Sequence, residues 1–195
     1  MADQFRPLIV GLGGAARAGS SSEQALDYAL KAAEAKGART RMLGGAFLAS
    51  LPLYGPEGSD RTPEEMELVA TIREADGVII STPAYHGGVS GLVKNALDYT
   101  EDMRADERPY LEGRSVGCIV SAAGWQGTTT TLVALRSIVH ALRGWPTPLG
   151  VCINSTEPAF DIDGRCLSDT LSQQLALVAV QTVKLAGALR STPAS

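Results

Sequence analysis

Short apolar runs alternate along the chain with longer segments whose apolar positions recur at helical spacing. Pro7–Leu12, Ala38–Leu43, Gly77–Ser81, Ser115–Val120 and Pro148–Ile153 read as strands. Most are continuously apolar, as parallel strands buried on both faces are. Ser22 to Lys36 places Ala25, Leu26, Ala29, Leu30 and Ala33 on one helical face, and Gly37 is a stop signal. A second helix is predicted from Thr62 as cap, with Pro63 in its first turn, to about Glu74. Further helices are predicted from about Gly91, from about Thr128 to Leu142, and from about Ser168 to Leu189 with Ser168 and Asp169 as candidate caps. Charged residues interrupt Ala38–Leu43, which suits an edge strand. Gly44 to Asp60, rich in Gly and Pro, reads as a long loop.

Strands alternating with helices predict an α/β chain with a parallel sheet covered on both faces by right-handed crossovers. Five strands favour a flavodoxin-like three-layer sandwich of order 2-1-3-4-5. In that order the carboxyl ends of strands one, three and four converge, and ligands bind there. Residues 1–195 are expected to form a single domain, with a core over about 7–189 and a frayed tail at 191–195.

Composition narrows the class. The chain has 195 residues, of which 45% are apolar, and a net charge of −4 from 17 basic and 21 acidic residues. No basic stripe is present, so a nucleic-acid partner is not expected. No apolar run approaches the roughly 18 residues of a membrane span. The N-terminus lacks a charged start followed by an apolar core, so the expected compartment is the cytoplasm. Cys118, Cys152 and Cys166 are odd in number and show no CxxC spacing, so neither a disulfide framework nor a metal site is expected. Cys118 and Cys152 lie in strand-like runs and read as small buried hydrophobes.

Three strand ends carry candidate chemistry. The first, Gly11-Leu12-Gly13-Gly14-Ala15-Ala16, matches G-x-G-x-x-G/A. That fingerprint also wants an acid at the end of the second strand, and Met42-Leu43-Gly44-Gly45 supplies none, which disfavours a dinucleotide site. Arg17, Ser20, Ser21 and Ser22 precede a helix N-terminus and suit a monophosphate; a plain turn with a Ser cap is the alternative. The second, Thr82-Pro83-Ala84-Tyr85-His86-Gly87, offers Tyr85 and His86 to an aromatic ligand, or to packing. The third, Ser121-Ala122-Ala123-Gly124-Trp125-Gln126-Gly127, offers amides to a heterocycle before a helix capped by Thr128. Trp125 covers a ligand there or sits at a subunit interface.

From Thr82 to Asp98 the chain resembles the T-P-x-Y-(H/N)-G-(S/G)-x-x-G-x-x-K-N-A-(L/I)-D stretch of the NADPH-dependent FMN reductase family. Gly14, Arg17 and Ser20 match the family's G-S-x-R-x-x-S loop, with Ala15 where Ser is usual and Ser22 where Asn is common. Leu51-Pro52-Leu53-Tyr54 is similar to the family's L-P-x-(Y/F) turn. The resemblance implies FMN across the carboxyl ends of the strands. Gly14, Arg17, Ser20 and Ser22 would hold the phosphate. Pro83, Ala84, Tyr85, His86 and Gly87 would border the isoalloxazine, and Ser121, Gly124, Trp125 and Gly127 its other edge. NADPH or NADH would supply hydride, and a small acceptor such as a flavin, quinone or metal ion would take the electrons in ping-pong fashion. No catalytic side chain is needed, because the cofactor carries the chemistry. The resemblance also implies a homodimer or homotetramer. Two other functions stand beside this one: supply of free reduced flavin to a flavin-dependent monooxygenase, and electron carriage without nicotinamide activity. Arg104 and Arg108 would meet an incoming nucleotide or a neighbouring subunit, or stand as solvated charge.

Overall fold

The computed structural model describes residues 5–56 and 60–190. The expected tail at 191–195 lies outside the described residues. Five parallel strands, β1 (Leu8–Gly13), β2 (Arg39–Leu43), β3 (Gly77–Tyr85), β5 (Ser115–Ala122) and β6 (Trp145–Asn154), lie in the order β2-β1-β3-β5-β6. Counting these long strands alone, this is the expected 2-1-3-4-5 order, and Arg39–Leu43 is at the edge. The five-stranded expectation needs one correction. A two-residue strand, β4 (Gly88–Val89), pairs antiparallel with the end of β3 and brings the sheet to six.

The central strands bury both faces. Ile9, Ile79, Ile119 and Val151 pack against Leu26 and Leu30 of α1 (Ser21–Glu34) and Leu175 and Val178 of α6 (Asp169–Arg190). Val10, Leu12, Val78, Ile80 and Val120 face the other layer. That layer contains Leu68 and Ile72 of α3 (Pro63–Glu74), Val93 of α4 (Gly91–Asp98), and Leu135 and Val139 of α5 (Trp125–Ala141). Alternate strand residues therefore feed two separate cores, as the pleat requires.

Several boundaries differ from expectation; β6, for one, begins at Trp145, three residues before the predicted Pro148. The loop from Gly44 to Asp60 contains a short helix, α2 (Gly45–Ser50), that buries Leu48 completely. Its apolar run Ala46–Ala49 is helix-forming, but the surrounding glycines and prolines obscure it. β3 continues four residues past Ser81, because Thr82 and Pro83 still pair with β5 and Ala84 and Tyr85 pair with β4. α5 begins at Trp125, three residues before the predicted Thr128. Gly124, with φ +122°, turns the chain into it, and no side chain caps this helix. Thr128 lies inside its first turn, where its hydroxyl donates to the carbonyl of Trp125 at 2.8 Å.

Other signals act as read. Thr62 caps α3 in a reciprocal box with Glu65, and Ser168 accepts from Leu171 N ahead of α6. Among the described residues no helix is long and apolar enough to cross a membrane. Cys118 is buried, which pushes its thiol up to about 12. Cys152, expected buried, is only half-buried, because it sits on the edge strand β6.

The amino end of the sheet is sealed by Arg114, which is 1% exposed. Its guanidinium donates to the carbonyls of Ile72, Arg73, Tyr110 and Glu112 at 2.8–3.2 Å. Burial lowers its pKa to about 10, which leaves it charged at neutral pH. Arg108 lies here too, donating to the carbonyls of Ala75 and Gly113.

Candidate functional site

Strand register sets the site. Gly13 lies opposite Ser81, Pro83 opposite Ser121, and Ala122 opposite Asn154, so all three glycine-bearing strand ends share one rim at the carboxyl end of the sheet. The rim is held together mainly by backbone. Gly13 has φ +135°, and a Cβ there would fall 1.8 Å from the carbonyl oxygen of Ser81. The next amide, Gly14 N, donates to that same oxygen at 2.9 Å. On the other side, a Cβ on Gly45 would fall 1.9 Å from the carbonyl oxygen of Ala15. The first loop is thus clamped between β3 and α2 by two close approaches that only glycine permits.

Within that loop Ser20 is the N-cap of α1, accepting from Glu23 N at 3.3 Å and from Ala15 N at 3.4 Å. Its hydroxyl also meets that of Ser22 at 3.2 Å, and both serines are buried. Arg17 is exposed and, among the described residues, makes no hydrogen bond or ion pair. Glu23, at the third position of the helix, accepts from Gly19 N at 2.8 Å. Sequence reasoning passed over Glu23, although Ser20-Ser21-Ser22-Glu23 has the S-x-x-E spacing of a capping box.

The second loop is a hairpin with a two-residue turn. His86 and Gly87 have φ +53° and +81°, the left-handed geometry that closes tight hairpins. Thr82 Oγ1 accepts from Ser90 N at 3.0 Å, and Ser90 caps α4. The turn presents Tyr85, 57% exposed, and His86, also exposed. Pro83 and Ala84 are half-buried beneath them.

The rest of this stretch serves the scaffold. Asn95 accepts from Tyr54 N and donates to the carbonyl of Pro52, each at 2.8 Å. Tyr99 OH donates to Glu65 Oε1 at 2.6 Å, and Arg61 pairs with Asp102 at 2.9 Å and Glu65 at 3.2 Å. The Tyr99 bond, then that from Thr62 N, hold the Glu65 carboxyl below its ordinary value. Lys94 and Asp98 form an i,i+4 ion pair.

In the third loop Ser121 is buried, Gly124 and Gly127 are half-buried, and Trp125 is 61% exposed. Asn154, which sequence reasoning missed, fixes this loop. Its Oδ1 accepts from Gly124 N at 3.0 Å and from the Thr156 amide and hydroxyl. Its place at the end of the last strand was the available signal. Trp125, Gln126 and Gly127 open a 17-residue helix, so their amides have no intrahelical acceptor. An open cavity of about 530 Å³ adjoins this loop between Trp125, Asn154, Pro158, Leu171 and Gln174, with Glu157 the one charged residue of its wall among the described residues.

The structure therefore brings Gly14, Arg17, Ser20 and Ser22 together with Pro83–Gly87 and Ser121–Gly127 on one rim. It places Arg108 at the opposite end of the sheet. Among the described residues no cluster of His, Cys, Asp or Glu could hold a metal.

Comparison with known proteins identifies the family of the chain. An NAD(P)H-dependent FMN reductase of Pseudomonas aeruginosa is 28% identical over 200 residues, 96% of this chain and 100% of the relative. An FMN-dependent NADPH-azoreductase of Staphylococcus aureus is 32% identical over 124 residues, 60% of this chain and 62% of the relative. Among solved structures, a flavoenzyme NAD(P)H:(acceptor) oxidoreductase of Paracoccus denitrificans shares the fold. Its TM-score is 0.78 at 19% identity, over 93% of this chain and 98% of that one. A flavodoxin-type protein of Agrobacterium tumefaciens aligns with a TM-score of 0.61 at 16% identity. The sequence model of the NADPH-dependent FMN reductases matches residues 7–157, and the chain belongs to that family.

Proposed function

We propose that this chain binds FMN across the carboxyl rim of its sheet and uses NAD(P)H to reduce a small acceptor through it. The observation that carries the proposal is the contrast in hydrogen-bond use. The rim leaves the first-turn amides of α5 without intrahelical acceptors and, among the described residues, Arg17 without a partner, while Tyr99, Glu65, Asn95 and Arg61 of the scaffold are paired. The residues fit the group. Arg17 and the Ser20 end of α1 would hold a phosphate, the Pro83–Gly87 hairpin would border a flat ring, and the amides of Trp125–Gly127 would face a heterocycle's polar edge. Bound FMN supplies hydride acceptance from the nicotinamide and electron delivery to the acceptor.

The chain's own residues position and shield. The His86–Gly87 turn closes the hairpin that carries the Pro83–Gly87 edge, and Asn154 holds Gly124 so that the α5 amides stay aimed at the rim. Those amides would favour negative charge growing on the ring's polar edge. The family's azoreductases and the cavity beside Trp125 support an aromatic acceptor. Alternation of nicotinamide and acceptor on one exposed face would give ping-pong kinetics.

An anaerobic visible spectrum of the FMN-loaded protein tests this. Addition of NADPH or NADH should bleach the flavin band one-for-one with bound flavin, and air or a quinone should restore it. A bound flavin that neither nucleotide bleaches would make the chain an electron carrier instead.

A further inference from the structure

We infer that Glu23 sets how strongly this protein distinguishes phosphorylated from unphosphorylated flavin, by placing a carboxylate inside the phosphate cradle. The inference rests on the reading of the first loop as the FMN phosphate site. Between Gly11 and Gln24 the only charged side chains are Arg17 and Glu23, so the loop carries no net charge. Arg17 projects from the exposed apex and pairs with nothing among the described residues. Glu23 is drawn in. One oxygen takes the Gly19 amide at 2.8 Å, and the other lies 3.3 Å from where a Cβ on Gly44 would stand. Its backbone amide is also occupied, by Ser20 Oγ at 3.3 Å.

Two consequences follow. An amide of the loop that would otherwise donate to an anion is already answered by the protein's own anion. A phosphate entering beside it meets a like charge within the same turn of chain, which offsets the attraction of Arg17 and of the helix N-terminus. Ala15 adds no hydroxyl. The phosphate then adds less to FMN affinity than Arg17 unopposed would give, and the gap between FMN and riboflavin narrows. Glu23 is a specificity-determining residue that keeps the flavin exchangeable, without touching the reacting atoms.

The test is a set of dissociation constants for FMN and riboflavin, measured by quenching of flavin fluorescence on the apoprotein. The proteins are wild type, Glu23→Gln and Arg17→Ala, each checked for an unchanged melting temperature. Gln keeps an oxygen acceptor for Gly19 N, so the helix start is preserved while the charge goes. Glu23→Gln should tighten FMN about tenfold and leave riboflavin within about twofold, and the gain should shrink in about 0.5 M salt. Unchanged FMN affinity, or equal changes for both flavins, would overturn the inference while a loss of FMN affinity in Arg17→Ala left the phosphate site standing. If Arg17→Ala changes neither flavin, the phosphate site itself is misplaced, and the role of Glu23 falls with it.

Discussion

Arg114 and Arg17 are the same residue type at opposite ends of one sheet, and their surroundings could hardly differ more. Arg114, at the amino end, is enclosed and gives its guanidinium protons to backbone carbonyls. Arg17, at the carboxyl end, is exposed and bonded to nothing among the described residues. The same division runs through the neighbouring polar groups. Tyr99, Glu65 and Arg61 satisfy one another and Asn95 bonds the backbone of Pro52 and Tyr54, whereas Tyr85, His86 and Trp125 stand out from the rim. A polar group consumed by the fold contributes to stability; one left with capacity at a converging rim is available to a ligand. The contrast makes separable predictions, because substitutions at the amino end should move stability and those on the rim should move binding.

The harshest break comes where rim and scaffold are the same atoms. Gly13→Ala forces a Cβ into the Ser81 carbonyl at positive φ, and should cost about 4 kcal/mol or more, with flavin binding lost together with the fold. Next, Arg114→Met strands several carbonyls and should cost about 3 kcal/mol, lowering the melting temperature by roughly 10 °C. FMN affinity of the protein that remains folded should be unchanged. Arg17→Ala should do the reverse, weakening FMN by about 1.5–3 kcal/mol with no change in melting temperature.

Glu65 sharpens the comparison through pH. Its folded pKa is depressed, so its stabilisation is complete above the ordinary carboxylate range of about 4.5 and is lost as pH falls through the folded value. Urea midpoints measured down the acid limb should therefore drop more steeply in wild type than in Glu65→Gln. Tyr85→Ala should also leave the fold nearly untouched. It should change unfolding free energy by no more than about 0.5 kcal/mol while altering the fluorescence or spectrum of bound flavin. A large fall in melting temperature would make Tyr85 a packing residue.

The layers, strand order and rim were legible because continuous apolar strands and amphipathic helices each encode one face, and Thr62-Pro63 and Ser168 encode helix starts. Three features were hidden for physical reasons. α2 is too short to show a period, and Leu48 is its one fully buried apolar side chain among the described residues. The start of α5 depends on Gly124 adopting φ +122°, a conformation that composition does not specify. Of the Thr82–Asp98 motif, the first half reads as ligand chemistry, and it places Tyr85 and His86 exposed on the rim. Asn95 and the Lys94–Asp98 pair hold the scaffold instead, because α4 carries them away from the rim toward the Pro52 turn and the solvent. A motif's residues can thus recur together for two unrelated reasons, one of binding and one of folding.

The measurement that tests the central claim most directly is backbone amide hydrogen exchange with and without FMN. The account predicts that FMN slows exchange in three separate segments, around 14–20, 83–88 and 124–127, and leaves the amides around 108–114 unchanged. Protection concentrated around Arg108 and Arg114, or absent from the carboxyl rim, would contradict it.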